Sequence, residues 1–492
     1  MKHSPWPRLA RAPAAEQRRI QDSALSRFVR EELYPFSAHY RRVFDEAGVA
    51  PRDVRGVDDL RRLPFTVKED LLEAQLDPQR KRDFVIVPTP GAIREHWPLA
   101  RKLALVLGGA RAREILRFSY TPHFLTFTTG RSTEPVAFAY TPHDLEVMEE
   151  VGARMFDVHG LGGKETRCIN AFPFAPHLAF WQTTLAGFRT GALTVPTGGG
   201  KVMGTAGNLR LLERLRGTVL IATPGFAYHL SRVAREEARD LSALSTIVLG
   251  AEKVTPGLKR KMAANLEECG AKDVVISGTY GFTEARMAFS ECPASYDDSP
   301  GYHLYPDLCV VEAIDPETLE PVPDGADGEV VFTTISGHGT CVLRYRTGDL
   351  AVGGITREPC PWCGRTVPRV SSELRRVSDR HALSLTKIKG TLVDLSHMGT
   401  VLSDHEGVEE WQVVIKKKND DAHELDEFEV HLSTRDGAAP DELERALRKE
   451  LVEATEVSPT RVVVHTTAEM LERLGMETET KEKRFVDQRP RE

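Results

Sequence analysis

No apolar run in this chain approaches the roughly 20 residues that a membrane-spanning helix needs, so no such span is expected. An excess of positive charge is also missing. Lysine and arginine number 65 against 72 aspartates and glutamates, a formal net charge of -7, and nothing in that balance calls for nucleic acid or an acidic membrane as partner. Cysteine is sparse: seven residues, an odd number, scattered apart from one close pair. That argues against a disulfide framework and for a reducing compartment, which makes the cytoplasm the expected location. Internal repeats and low-complexity segments are absent. The opening MKHSPWPRLARAPAAEQRR carries arginines but lacks the apolar centre of a secretory signal, so a solvated first helix is expected there.

What is present is the balance of a globular protein, 41% hydrophobic and 28% charged over 492 residues, long enough for two or more domains. Thr141 followed by Pro142 reads as a helix start, and Leu145, Met148, Val151 and Met155 then recur at helical spacing. The apolar runs TVLIATP (218–224), STIVLGAE (245–252) and DVVISGTYG (273–281) alternate with helical segments, the pattern of a parallel sheet with covering helices. After Gly301 the style changes: LCVVEAID and GEVVFTT flank the turn-rich PETLEPVPDGADG, which predicts an antiparallel hairpin or small barrel. Beyond the polar stretch SSELRRVSDR (371–380), the segments WQVVIKKK, FEVHLST, a helix with Leu443, Leu447 and Leu451, and RVVVHTT form a βαβ-like unit. A large domain over 1–376 and a small lid-like domain over 377–492 are therefore expected.

Three kinds of segment carry candidate chemistry. FTTGRSTEP (127–135) sets hydroxyls at Thr128, Thr129, Ser132 and Thr133 around Gly130 and Arg131. Such a loop can surround phosphate oxygens, or it can be a polar turn bonding its own backbone. Thr279-Tyr280-Gly281-Phe282-Thr283-Glu284 leaves a hydroxyl and a carboxylate at the end of a strand, where open α/β sheets bind ligands. Arg344-Tyr345-Arg346-Thr347-Gly348-Asp349 puts an aspartate in a glycine turn, placed to accept from a ribose diol or to serve the turn alone. The basic run from Lys481 through Arg484 to Arg489 reads either as a functional cation or as a solvated tail. Cys360-Pro-Trp-Cys363 can aim two thiolates at one ion; with Cys292 and His303 it makes either a closed Zn²⁺ site or two unlinked pairs of turn residues.

YGFTE, YRTGDL and the terminal KxxRxxDxR pattern resemble the adenylate-forming superfamily. LRRLPFTVKEDL, GAE (250–252), ECP with GYHLYPD, IDPETLEPVPDGADGEVVFTT and CPWCGRT extend the resemblance to its phenylacetate–CoA ligase branch over most of the chain. The resemblance implies an α/β fold: a large N-terminal domain of parallel sheets with helices and a small barrel-like part, then a small mobile α+β C-terminal domain. It implies ATP-dependent activation of a carboxylic acid to an acyl-adenylate and transfer to coenzyme A, with Mg²⁺ and a structural Zn²⁺.

The roles it implies are specific. Thr128 to Thr133 form the phosphate loop, with Thr133 and Glu134 standing where the family has glycine and lysine and Arg131 offered as the compensating charge. Glu284 holds Mg²⁺ and Thr283 touches phosphate. Tyr280, Ala251 and Glu252 surround the adenine, Asp349 and Arg376 the ribose, and Asp379 is the hinge. Lys481 bridges carboxylate and α-phosphate. Phe172, Phe174, His177, Phe180, Trp181 and Gly278 line an acid pocket suited to an aromatic ring, though aromatic segments are also ordinary core. Transfer to a carrier-protein thiol or an amine, or a degenerate nucleotide-binding protein, are the alternatives, and a homodimer is left open. RKLALVLGGARAREILRF, within 79–118, predicts an added helix near the phosphate loop.

Overall fold

The computed structural model describes residues 4–128, 135–377, 385–388, 391–417, 426–435, 438–455, 457–476, 478 and 482–489. Five segments form its parallel centre, in the order 193–196, 167–170, 219–222, 246–249 and 275–282. Val219–Ala222 and Thr246–Leu249 are buried at every position, which is why they read as continuous apolar runs: helices cover both of their faces. Helices Leu178–Thr190, Gly199–Arg214, Pro224–Glu236 and Pro256–Glu268 lie between these strands in the chain. The sheet then continues antiparallel through Met287–Glu291, Tyr302–His303, Arg369–Val370 and Ile355–Thr356.

Cys309–Ile314 and Gly328–Thr334 pair antiparallel as the expected hairpin, and Tyr345–Ala351 and Leu374–Arg376 extend it to a four-stranded sheet. The helix Pro142–Val158 starts as expected. The Thr141 side chain accepts from the Asp144 backbone N–H, and the Asp144 carboxylate accepts in return from the Thr141 backbone N–H. A cap of this kind contributes about 1 kcal/mol. Met148 and Val151 are fully buried beneath it, with Leu145 and Met155 packed alongside.

The C-terminal part has its own hydrophobic core around Val413, Phe428, Val430, Leu447 and Leu451, so the fold is α/β with a separate C-terminal domain. Its sheet runs 461–464, 426–434, 408–417 and 485–487. Asp426–Thr434, the helix Pro440–Thr455 and the parallel strand Arg461–Val464 make the expected βαβ unit. The tail is built into this sheet, because Phe485–Asp487 pairs parallel with Val413 to Ile415. Among the described residues no helix is long and apolar enough to cross a membrane.

Two expectations need correction. The first helix is not solvated: Trp6 is 2% exposed, its Nε1 donates to Asp157 at 2.9 Å, and its ring meets Tyr305 edge-on. An aromatic and a leucine among the arginines supplied enough apolar surface to dock it. The segment 79–118 forms three helices, Pro90–His96, Leu99–Leu107 and Gly109–Ser119, where one was expected. Gly108 and Gly109 break the run, Gly109 with φ at +61°.

Candidate active site

A cavity of about 1370 Å³ opens where the carboxyl ends of the parallel strands face the antiparallel sheet and the C-terminal tail, the place where open α/β sheets take ligands. Strand alternation sets what enters it. Thr279 and Gly281 line the cavity, while Tyr280 between them turns into the core against Phe282, Phe289 and Tyr302. Tyr280 is thus not part of the cavity wall, but its hydroxyl donates to Asp349 Oδ2 at 2.9 Å. The strand ends in the turn Thr283–Ala285, which delivers Thr283 and Glu284 to the cavity. Glu284 Oε1 accepts from the Tyr345 hydroxyl at 2.9 Å. Burial is the dominant influence on Glu284 and raises its carboxyl above the ordinary 4.5; the Tyr345 hydrogen bond and the Lys68 charge oppose it in part.

Asp349 lies opposite Arg376 across the paired strands, and the two form an ion pair at 3.1 Å. The expected glycine turn is instead an irregularity within the strand Tyr345–Ala351, where the register against Gly328–Thr334 shifts; Gly348 has φ at +70°, and its N–H donates to Glu329 Oε1 at 3.2 Å. Glu329 is 2% exposed and is clamped by Arg346 through Nε and Nη2, at 3.0 and 2.6 Å to Oε2. Thr128 lines the cavity, and its hydroxyl accepts from the Val136 backbone N–H at 3.0 Å. The strands Phe124–Phe127 and Ala137–Tyr140 that flank the hydroxyl loop pair antiparallel. Thr129, Gly130, Arg131, Ser132 and Thr133 lie outside the described residues, as do Asp379 and Lys481. The tail beyond Lys481 does reach the cavity, where Lys483, Phe485, Val486 and Asp487 contribute to its wall. Arg484 anchors that tail, pairing with the buried Glu410 at 2.7 Å and stacking over Trp411.

The acid-pocket expectation divides. Phe172, His177 and Phe180 line the cavity, and His177 Nδ1 sits 3.3 Å from the Phe127 carbonyl oxygen. Phe174 and Trp181 lie outside that lining: Phe174 is 58% exposed, and Trp181 packs against Phe124 and Phe180 with Nε1 donating to the Ala175 carbonyl at 3.2 Å. On a helix that begins at Leu178 only one face can look inward, and aromatic character does not choose the face. Gly278 also lies outside the lining, with its N–H donating to Glu291. Ala251, with φ at +75°, lines the cavity, whereas Glu252 borders a small adjoining one with Lys201 and Glu482.

Residues that sequence reasoning missed complete the wall. Lys68 lines it near Glu284. His159 is partly buried in it, with Nε2 2.5 Å from Ser290 Oγ and Nδ1 3.3 Å from Ser277 Oγ; desolvation pushes its pKa down to about 3, so the ring is neutral. Its signal was available, since it follows Met155 by four residues on the inward face of the capped helix. Lys259 and Glu291 form a buried pair at 2.9 Å behind Gly278.

Away from the cavity, Cys292, His303, Cys360 and Cys363 bring their ligand atoms within 4.8 Å of one another. Cys292 Sγ and Cys360 Sγ are 3.5 Å apart and Cys363 Sγ lies 3.3 Å from His303 Nε2. The sulfur separation is far beyond the ~2.05 Å of a disulfide and close to the edge of a tetrahedron with ~2.3 Å metal–sulfur bonds. His303 Nδ1 is directed to the Ser290 carbonyl oxygen at 3.1 Å, which orients Nε2 toward the thiols.

The comparisons with known proteins agree with this geometry. Residues 144–340 match the family described as AMP-binding enzyme. The chain is 30% identical over 453 residues to a phenylacetate-coenzyme A ligase of Thermus thermophilus, covering 91% of this chain and 88% of that one. It is 24% identical to the phenylacetate-coenzyme A ligase of Escherichia coli, over 63% of this chain and 61% of that one. Among solved structures, 2-hydroxyisobutyryl-CoA ligase in its postadenylation state gives a TM-score of 0.76 at 22% identity, covering 98% of this chain and 91% of that chain. The same enzyme in its thioesterification state gives 0.63, at 22% identity and with 98% and 92% covered. The site at the strand ends and the likeness that spans both domains lead to one assignment: the chain belongs to the phenylacetate–CoA ligase family of adenylate-forming enzymes.

Proposed function

We propose that the protein is an AMP-forming acid–CoA ligase that activates an aromatic carboxylic acid. The observation that carries this reading is convergence: Glu284, Arg376 and the C-terminal tail come from three distant stretches of chain and meet at one cavity, and Asp349, outside the lining itself, is ion-paired to Arg376. The acid's carboxylate oxygen attacks the α-phosphorus of ATP, the bond to pyrophosphate breaks, and an acyl-adenylate forms. The thiol of coenzyme A then attacks the acyl carbon, loses its proton, and releases AMP.

Negative charge crowds at the α-phosphate in the first step, and offsetting it is the main catalytic demand. Lys481 of the tail supplies the cation, with the hydroxyls of Thr128 to Thr133 and Arg131 around the phosphates. Mg²⁺, when bound, neutralises phosphate charge. Glu284 and Thr283 would hold it, since their hard oxygens suit that ion and Tyr345 fixes the carboxylate in place. Asp349 and Arg376 receive the ribose, and Ala251 the adenine edge. Phe172 and Phe180 take the aromatic ring, with His177 above them.

The division near residue 376, with the small domain turning about Asp379 between the two half-reactions, belongs to the same proposal. The higher structural score to the postadenylation state supports reading the present arrangement as the adenylating one. Cys292, His303, Cys360 and Cys363 would hold a structural Zn²⁺, closed because the protein supplies all four ligands.

The test is a panel of aryl and alkyl acids with ATP, Mg²⁺ and CoA, scored for pyrophosphate, AMP and thioester. Stoichiometric formation of all three with an aryl acid is the expected result. ATP binding without pyrophosphate from any acid would contradict it.

A further inference from the structure

The acid pocket contains a hydrogen-bonding group that the protein leaves unused. Along the helix Leu178–Thr190, six residues line the cavity; Leu178 and Phe180 sit at its start, and Ala179, Gln182, Thr183 and Ala186 are spaced i, i+3, i+4, i+7 as one helical face. Two of the four are polar, although the surrounding wall is apolar, with Phe156, Phe172 and Phe180. Gln182 is 2% exposed. Its Nε2 donates to Met155 Sδ at 2.9 Å; a thioether can only accept, so this contact fixes which end of the amide is which. Its Oε1 is buried and has no hydrogen-bond partner among the described residues.

Buried polar atoms in folded proteins are almost always paired, and an exception on a cavity wall points to the ligand as the missing partner. His159, another polar group in this wall, does not supply it, because both of its ring nitrogens are engaged by Ser290 and Ser277. We propose that the pocket is built for an aromatic acid bearing a hydrogen-bond donor, a ring hydroxyl or amino group, which donates to Gln182 Oε1. This rests on the acid-activating reading above. An acid without the donor leaves a buried acceptor unpaired, and sites made to bond a substrate hydroxyl reject analogues that lack it.

The experiment uses the full-length enzyme with ATP and Mg²⁺ and measures kcat/KM for pyrophosphate release. Its arms are phenylacetate, the 3- and 4-hydroxy and 3- and 4-amino derivatives, and the methoxy analogues, which keep the oxygen but cannot donate. The expected result is that at least one hydroxy or amino acid exceeds both the parent and its methoxy analogue by roughly 30-fold, the discrimination one paired buried group gives. That ratio is expected to fall to within about threefold in Gln182→Leu. Gln182→Met is the second variant, with the same expected collapse, and acid-induced shifts in melting temperature provide a readout independent of turnover. A methoxy or parent acid that matches the donor-bearing ones, or a preference that survives both substitutions, overturns the proposal alone. If no acid of any kind releases pyrophosphate, the acid-activating reading falls and takes this proposal with it.

Discussion

Glu284 concentrates the electrostatic problem of the site at one carboxylate. Burial raises its pKa, so in the free protein a proton competes for the oxygens that, in the proposed function, would hold Mg²⁺. Affinity for Mg²⁺ together with ATP is therefore expected to weaken as pH falls while still on the alkaline side of 4.5, the ordinary value for this group. Calorimetric titration at a series of pH values checks this, and Glu284→Gln should both weaken binding and remove the pH dependence. Linkage gives the opposite sign for folding. A raised folded pKa contributes stability below the unfolded value and loses it as pH rises through the folded one. Without ligand, Glu284→Gln should therefore melt no lower than the parent protein at neutral pH.

Part of the candidate site was legible. Thr283 and Glu284 follow the strand Val275–Phe282 and reach the cavity as expected, whereas Asp349, expected in a turn, lies within the strand Tyr345–Ala351 and outside the lining. Gln182 was not legible, because aromatic residues drew the assignment to Phe174 and Trp181, while the helical face 179, 182, 183, 186 was readable only by its period.

At the scale of elements, the Cys/His cradle joins pieces that the chain holds far apart. Cys292 follows the strand Met287–Glu291, His303 ends the strand Tyr302–His303, and Cys360 and Cys363 sit in a turn before Arg369–Val370. Tyr302–His303 pairs with both of the other strands, so an ion here would tie down the antiparallel edge of the large sheet. The protein is expected to carry one equivalent of Zn²⁺ by elemental analysis. Cys360→Ser should lower the melting temperature by roughly 2–3 °C, the shift produced when about 2 kcal/mol is lost from a domain of ~370 residues. Retention of that temperature with no bound metal would count against the site. Elements announced by a period or by a turn were readable from sequence: the buried parallel strands, the hairpin around PVPDGADG, and the βαβ tail. The docking of Trp6 was not, since what buries it is the distant Asp157 and Tyr305.

For the molecule as a whole, the C-terminal domain meets the large one through apolar and polar contacts: Leu474 and Met476 are buried in the same cluster as Phe226 and Leu230, and polar groups add to it. Lys261, 6% exposed, donates through Nζ to the Ser403 and Val408 carbonyls at 2.6 and 2.8 Å, and Arg232 meets the buried Glu409 at 3.4 Å. Under the proposed adenylating arrangement, Lys261→Met removes two charge-assisted hydrogen bonds that join the domains. Pyrophosphate formation is then expected to fall about tenfold, in proportion to a loss of ~1.4 kcal/mol. Thioester formation from supplied acyl-adenylate should fall much less, which single-turnover measurements of each half-reaction will reveal.

In the proposed mechanism the tail brings a cation to the α-phosphate in the first half-reaction. This is tested most directly by comparing Lys481→Ala with Lys483→Ala in both half-reactions. The account predicts that Lys481→Ala reduces acyl-adenylate formation by at least about 100-fold, the scale of losing one preorganised charge at the reacting centre, while supplied acyl-adenylate is still converted to thioester. An undiminished rate of adenylate formation in Lys481→Ala would contradict it.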